Sequence, residues 1–304
     1  MFIADTHSDT LFNIGVMHQA MDSLMINPEK LRRGGVSLQT FAMWSGRYGN
    51  KGDYEAIAAA ELAAAPLMEA AGIRKVDNPA DAASAKEGEA CFMLSLEGCE
   101  VFEKGLQAVA QYREYGVRMG ALVWNNPNAL GFPAKGGSKE GLTAYGIQVV
   151  KEMQRLGMAV DTSHLNEAGF YDIFAKTDKA PLASHSCCTS LCNHFRNLTD
   201  AQLKLMIREG GYVGINFYPY FLREDGKATL QHVVEHIDHV CQLGGDGIVG
   251  FGSDFDGIEC CPEGLAGADD MPKLIAALQA RGYSQTAIEG IAGKNLLAYY
   301  ERIA

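Results

Sequence analysis

The sequence predicts one (β/α)8 TIM barrel, an α/β fold, and three observations lead there. Eight short apolar runs recur along the 304 residues, most of them followed by a segment of helical period, and metal-competent side chains stand just after several of the runs. Buried parallel strands read as continuous apolar runs, and strand–helix alternation points to a parallel α/β architecture. Eight such units in about 300 residues match the size of a barrel of this class. No long linker, low-complexity stretch or fixed repeat divides the chain, so residues 1–304 are expected to form a single domain.

The first run, residues 2–4, leads into Thr6-His7-Ser8-Asp9, where a doubly wound sheet would carry a glycine-rich phosphate turn. The second covers 36–41 and precedes a helical pattern over 54–71. The third, 91–96, ends on Glu97 and is followed by a helix over 106–115. The fourth, 117–123, precedes a helix over 145–156, and the fifth, 159–161, leads to His164 and a helix over 167–175. The sixth, 182–184, runs into His185 ahead of a helix over 200–209. The seventh, 212–217, precedes a helix over 230–243, and the eighth, 247–251, leads to Asp254.

A barrel of this kind builds its active site at the C-terminal ends of its strands. His7, Asp9, Glu97, His164, His185 and Asp254 all fall there. His7 and Asp9 stand two apart, so both point to one face of an extended chain. Each of these residues alone reads as an ordinary polar turn or rim residue. Two further histidines together with Glu97, a carboxylate able to bridge, suit zinc, which takes imidazole nitrogen and carboxylate oxygen readily. Glu100 is a neighbour that could be confused with Glu97, which lies closer to the strand end. Two cations a few ångströms apart activate water at neutral pH and polarise a carbonyl. Asp254 is placed to carry the proton to a leaving amine, although Asp256 shares its face and spacing leaves the choice open.

A second histidine motif competes. His232-Val233-Val234-Glu235-His236 matches the H-x-x-E-H zinc-protease pattern with both histidines on one helical face. It falls in the helix before the last strand, on the outer ring of a barrel. It is therefore read as a solvated histidine face, which His239 extends.

Composition narrows the function classes. The formal net charge of −11 argues against nucleic acid or an anionic membrane as partner. The opening MFIADTHSDT has no basic and apolar leader pattern, and no apolar stretch reaches spanning length, so a cytoplasmic protein is expected. The eight cysteines include the adjacent pairs Cys187-Cys188 and Cys260-Cys261, which suit reduced thiols and not a zinc knuckle.

The ordered segments Thr6-His7-Ser8-Asp9, Ser95-Leu96-Glu97-Gly98, Asp161-Thr162-Ser163-His164, Ser184-His185-Ser186, Arg196-Asn197 and Gly252-Ser253-Asp254-Phe255-Asp256-Gly257 carry a resemblance. Over essentially its whole length the chain resembles the membrane (renal) dipeptidase family, the M19 metallopeptidases of the amidohydrolase superfamily, and looks like a bacterial member. The resemblance implies two Zn2+ per chain. It implies that His7 and Asp9 hold one ion, that His164 and His185 hold the other, and that Glu97 bridges them. It implies Asp254 as acid/base and Arg196 as the clamp on a substrate carboxylate; otherwise Arg196 reads as a surface charge. Tyr218 falls where the family has another substrate-lining residue. The chain departs from the mammalian pattern at Trp124, which stands where those members place a carbonyl-polarising histidine. An indole donates one hydrogen bond but carries no proton, so either Asn125 or the metals supply that polarisation, or the substrate preference differs. Family habit implies a homodimer acting on small dipeptides, Xaa-D-Xaa among them. A binuclear-zinc amidohydrolase acting on N-acyl amino acids or another small amide is the alternative, and a catalytically silent binding protein on this scaffold is a third reading.

Overall fold

The computed structural model describes residues 1–44, 54–86 and 88–304. Nine strands run in chain order as β1 (Ala4–Asp5), β2 (Leu38–Trp44), β3 (Arg74–Lys75), β4 (Cys91–Glu97), β5 (Val117–Ala121), β6 (Ala159–Asp161), β7 (Leu182–Ala183), β8 (Tyr212–Ile215) and β9 (Val249–Phe251). All but β3 pair in the order β2-β1-β9-β8-β7-β6-β5-β4, and β2 closes the ring against β4 from Leu38↔Cys91 to Trp44↔Glu97. The barrel pairings are parallel throughout. The expected barrel is present, and closure leaves its strands without an open edge.

The strand β3, which the sequence pattern does not reveal, pairs with Cys91 and Phe92 where β5 has yet to begin. Its residues, Arg74 and Lys75, are charged and not buried, so no apolar run marks it. β2 also extends to Trp44, three residues past the predicted run.

Alternation along the strands sorts side chains into two layers. In β4, Phe92, Leu94 and Leu96 join the large apolar layer shared with the outer helices. Cys91 and Met93 join a second cluster with Ala4, Leu38, Met119, Ala159, Leu182 and Tyr212. The C-terminal helix Asn295–Ile303 completes that cluster with Leu296, Tyr299, Tyr300 and Ile303, plugging the N-terminal end of the barrel. The other end stays open for the site.

The helices between the strands match the predicted ones closely: Tyr54–Ala70, Leu106–Glu114, Ala144–Arg155, Glu167–Lys176, Asp200–Glu209 and Leu230–Gln242. Several carry N-terminal caps: Thr143, Asn166, Thr199 and Thr229 each accept a backbone N–H of the first turn. Gly210 closes the Asp200–Glu209 helix in the left-handed region at φ 72°, where glycine avoids the Cβ penalty.

The histidine face of Leu230–Gln242 differs from the sequence expectation. His236 is buried, His239 pairs with Asp200, and His232 caps its own helix at Thr229. Burial follows from chain segments, around Cys188 and Leu222, that pack onto this helix from elsewhere in the sequence. All eight cysteines are free thiols. Among the described residues no helix is long and apolar enough to cross a membrane.

Candidate metal centre and substrate cavity

His7, Asp9, Glu97, His164, His185 and Asp254 converge at the open end of the barrel. Three overlapping sets have ligand atoms within 4.8 Å of one another: His7, Asp9 and Glu97; Glu97, His164 and His185; His7, His185 and Asp254. Glu97, the last residue of β4, belongs to two of them. Its Oε2 is 3.6 Å from His7 Nε2, and its Oε1 is 2.8 Å from His164 Nε2 and 3.6 Å from His185 Nε2. His7 Nε2 also lies 3.6 Å from Asp9 Oδ2 and 3.7 Å from Asp254 Oδ1.

The strand ends hold these side chains by a repeated device. Asp5, closing β1, accepts the backbone N–H of Ser253 at 2.8 Å and its hydroxyl at 2.5 Å, fixing the residue before Asp254. Asp161, closing β6, accepts the backbone N–H of Ser184 at 2.9 Å and its hydroxyl at 2.5 Å, fixing the residue before His185. His164 and Asp254 are both left-handed, at φ 68° and 62°. Such backbone costs about 1–3 kcal/mol per non-glycine residue and persists where the surroundings enforce it, commonly at functional sites. Close packing adds to this: a Cβ on Gly252 would fall 1.8 Å from the Ser184 carbonyl oxygen.

The hydrogen-bond network assigns the histidine tautomers. Asn125 Oδ1, an acceptor, faces His164 Nδ1 at 3.2 Å, so the proton sits on Nδ1 and leaves a lone pair on Nε2. The Ser184 hydroxyl donates to Asp161, so it accepts from His185 Nδ1 at 2.7 Å, and His185 Nε2 is bare as well. The two bare nitrogens are 3.2 Å apart, with Glu97 Oε1 beside them. Three lone pairs aimed at one buried point are mutually repulsive unless a cation or proton lies among them. His7 Nε2 is likewise buried without a hydrogen bond. This donor set of imidazole nitrogens and carboxylates fits zinc.

Burial and mutual charge perturb the whole cluster. Burial pushes Asp9 up to about 7, with Glu97 adding to it. Burial also lifts Asp254 to about 6 against the opposing pull of His7. Burial would lower His7, but Glu97 and Asp9 hold it well above the usual histidine range. His164 falls to about 4 and His185 well below its usual value, chiefly through burial. Burial opposes Glu97 ionisation, yet His7 and its histidine neighbours hold it well below the usual carboxylate range.

A cavity of about 380 Å³ opens over the cluster, a volume suited to a small ligand. Asp9, Glu97, Trp124, His164, Arg196, Tyr218 and Asp254 all line it, so the structure brings the sequence-predicted residues to one place. Trp124 stands edge-to-face with Trp44, which in turn meets Phe12, forming an aromatic wall. Arg196 is buried, stacks over the Phe221 ring and forms no ion pair among the described residues. Its nearest acceptor is the His185 carbonyl at 3.5 Å, and its Nε has none. Asp254 and Glu97 act on it only from beyond ion-pair distance, and a desolvated cation so placed is costly, so this guanidinium suits an anionic group brought in by a ligand.

Asp256 lines the cavity but is committed elsewhere: its carboxylate accepts from Thr10 Oγ1, Met25 N and Ile26 N. Asp254 is the one facing His7. Its Oδ2 accepts from Asn216 Nδ2 at 2.9 Å. Asn216 escaped the sequence reading although it follows β8 directly, where the strand-end rule could have found it. Asp5 and Asp161 also stand at strand ends, but only pairing reveals their serine partners, whereas nothing local marks Trp44 and Phe221.

Comparisons with known proteins identify the family. The model of the membrane dipeptidase family, peptidase family M19, matches residues 1–303. A protein encoded in the pqqA 5′ region of Klebsiella pneumoniae is 34% identical over 74% of this chain and 86% of its own length. An uncharacterized dipeptidase of Schizosaccharomyces pombe is 36% identical over 76% of this chain, which spans 58% of that relative. The crystal structure of a metallopeptidase from Rhodobacter sphaeroides, liganded with a phosphinate mimic of the dipeptide L-Ala-D-Ala, superposes with a TM-score of 0.89 at 27% identity, covering 100% of this chain and 99% of that one. With a family match over nearly its full length and a 34% identical relative covered over 86% of its length, the chain belongs to the membrane dipeptidase family, the M19 metallo-dipeptidases.

Proposed function

We propose that the chain hydrolyses short dipeptides, Xaa-D-Xaa among them, with two zinc ions held by His7 and Asp9 on one side, His164 and His185 on the other, and Glu97 shared. The observation that carries the substrate reading is Arg196: a buried cation that forms no direct ion pair among the described residues, lining the cavity over a metal-competent cluster. Its planar fork suits bidentate binding of a carboxylate, and a free C-terminal carboxylate close to the scissile bond is what a dipeptide presents. The dipeptide mimic bound by the Rhodobacter relative supports the same substrate class.

When bound, the cations supply Lewis acidity, lowering the pKa of a water and polarising the substrate carbonyl. The protein's own residues do the rest. Asp254, held near neutrality by burial, takes up a proton and returns it to the leaving amine. Asn216 fixes one carboxylate oxygen of Asp254 and leaves the other toward His7. Trp124 has no proton to give, and serves as a wall with Trp44. Tyr218 and Phe221 line the same cavity, their rings in contact, with Arg196 over Phe221.

A kinetic screen of zinc-loaded protein over L,L- and L,D-dipeptides and N-acyl amino acids tests the reading. Turnover of dipeptides is expected. Cleavage of acyl-amino acids with every dipeptide left intact overturns it.

A further inference from the structure

We infer that His236, seconded by His239, is a positioning residue for Arg196, acting through the loops that carry the guanidinium and the ring beneath it. The inference rests on the reading of Arg196 as the carboxylate clamp.

The Arg196 guanidinium is poorly fixed by its own bonds, which come to one 3.5 Å contact with the His185 carbonyl, although the backbone N–H of Arg196 donates to His194 Nδ1 at 3.2 Å. Its place is set by its loop and by the Phe221 ring, 5.5 Å from its Cζ. The loop is pinched where Leu198 N donates to Cys187 O at 2.8 Å and Thr189 N donates to Leu198 O at 2.9 Å. His236 holds that neck: its Nδ1 accepts the Cys188 N–H at 3.0 Å. Its Nε2–H donates to the Leu222 carbonyl at 3.1 Å, immediately after Phe221. One ring therefore ties the Arg196 loop to the Phe221 turn. The same two segments meet again where Asn197 Nδ2 donates to Phe221 O at 2.8 Å and Cys192 Sγ to Tyr220 O at 3.3 Å.

His239 lies one turn further along the same helical face. Its Nε2 is 2.7 Å from Asp200 Oδ1, at the start of the helix that follows the Arg196 loop, and Ser190 of that loop bonds the same oxygen at 2.7 Å. The Leu230–Gln242 helix thus grips the loop at both ends, at Cys188 and at Asp200. Both bonds of His236 require the neutral ring protonated on Nε2, because a proton on Nδ1 would face the Cys188 N–H. Burial keeps the ring neutral, its pKa pushed down to about 4.

The test compares zinc-loaded wild type, His236→Ala and His239→Asn on an L,D-dipeptide and on the same dipeptide with its carboxylate amidated. Wild type is expected to favour the free carboxylate. Because small misplacements of a binding group cost up to about a hundredfold, His236→Ala is expected to raise KM for the free dipeptide roughly tenfold or more. Its kcat on the free dipeptide and its kcat/KM on the amide are expected to stay within a few-fold of wild type. His239→Asn, at the half-exposed edge, is expected to move KM the same way by about threefold, and it decides the matter if His236→Ala does not fold. Equal losses on acid and amide, or an unchanged KM in both variants, overturn the positioning role. A wild type that cleaves dipeptides without preferring the free carboxylate overturns the clamp reading of Arg196, and this inference with it.

Discussion

His164 and His185 face one another through unprotonated Nε2 atoms 3.2 Å apart. Neither can relieve the contact by shifting its proton, since Asn125 accepts from one Nδ1 and Ser184, bound to Asp161, accepts from the other. A cation between these nitrogens and Glu97 would remove the repulsion, so metal binding is expected to be coupled to folding. Chelator-treated protein is expected to melt at lower temperature than zinc-loaded protein, and zinc to restore the transition. Binding at about 1,000 times Kd is worth about 4 kcal/mol. Identical melting curves with and without zinc would count against the coupling.

The Asp161–Ser184–His185 chain orients His185, a proposed zinc ligand, through its Nδ1. Loss of such support commonly costs about 10–100-fold in metal affinity or activity. Ser184→Ala is expected to weaken zinc binding by that order, read in a competition titration against a chromogenic chelator, with little change in the far-ultraviolet circular dichroism.

Asp254→Asn keeps the shape of the site and removes the proposed proton carrier. Since general acid–base catalysis contributes about 10²–10⁴-fold, kcat is expected to drop within that range while zinc content stays at the wild-type value. Retained turnover would move the role to water.

Arg196→Met keeps much of the stem and loses the charge. Hydrogen bonds to charged groups contribute about 1.5–3 kcal/mol, so kcat/KM for a free dipeptide is expected to fall roughly 10–100-fold, with much less change on the dipeptide amide. Parallel losses on both substrates would argue that Arg196 serves packing alone.

The barrel and most of the site are legible in the sequence because both follow from periodicity. Apolar runs mark the strands, and what stands just after each run marks the barrel mouth, as His7, Glu97, His164, His185 and Asp254 illustrate. Arg196 was reachable only through the family resemblance, since it sits on a loop whose burial depends on Phe221 and on the strand ends beneath it. Asp5 and Asp161 read as ordinary strand-end residues until pairing brings Ser253 and Ser184 against them. The histidine stripe was misread as solvated for the same reason: the partners of His236 lie 48 and 14 residues away in sequence, and no local pattern announces them.

His236 also gives the protein a pH dependence. Its folded pKa of about 4 lies below the ordinary 6.5. Between those values the unfolded chain binds the proton and the folded chain does not, so stability falls as pH drops from about 6.5 toward about 4 and then levels off. Above that window His236 contributes no slope. Thermal melts of zinc-loaded wild type and His236→Asn across pH 4–7 check this, with the variant expected to show the shallower decline.

The most direct measurement is a zinc titration of chelator-treated protein with hydrolysis of an L,D-dipeptide followed at each addition. Activity is expected to be absent without metal, to rise with zinc and to level off at two equivalents per chain. Full activity in metal-free protein would contradict the binuclear centre of His7, Asp9, Glu97, His164 and His185, and a plateau at one equivalent would contradict its second ion.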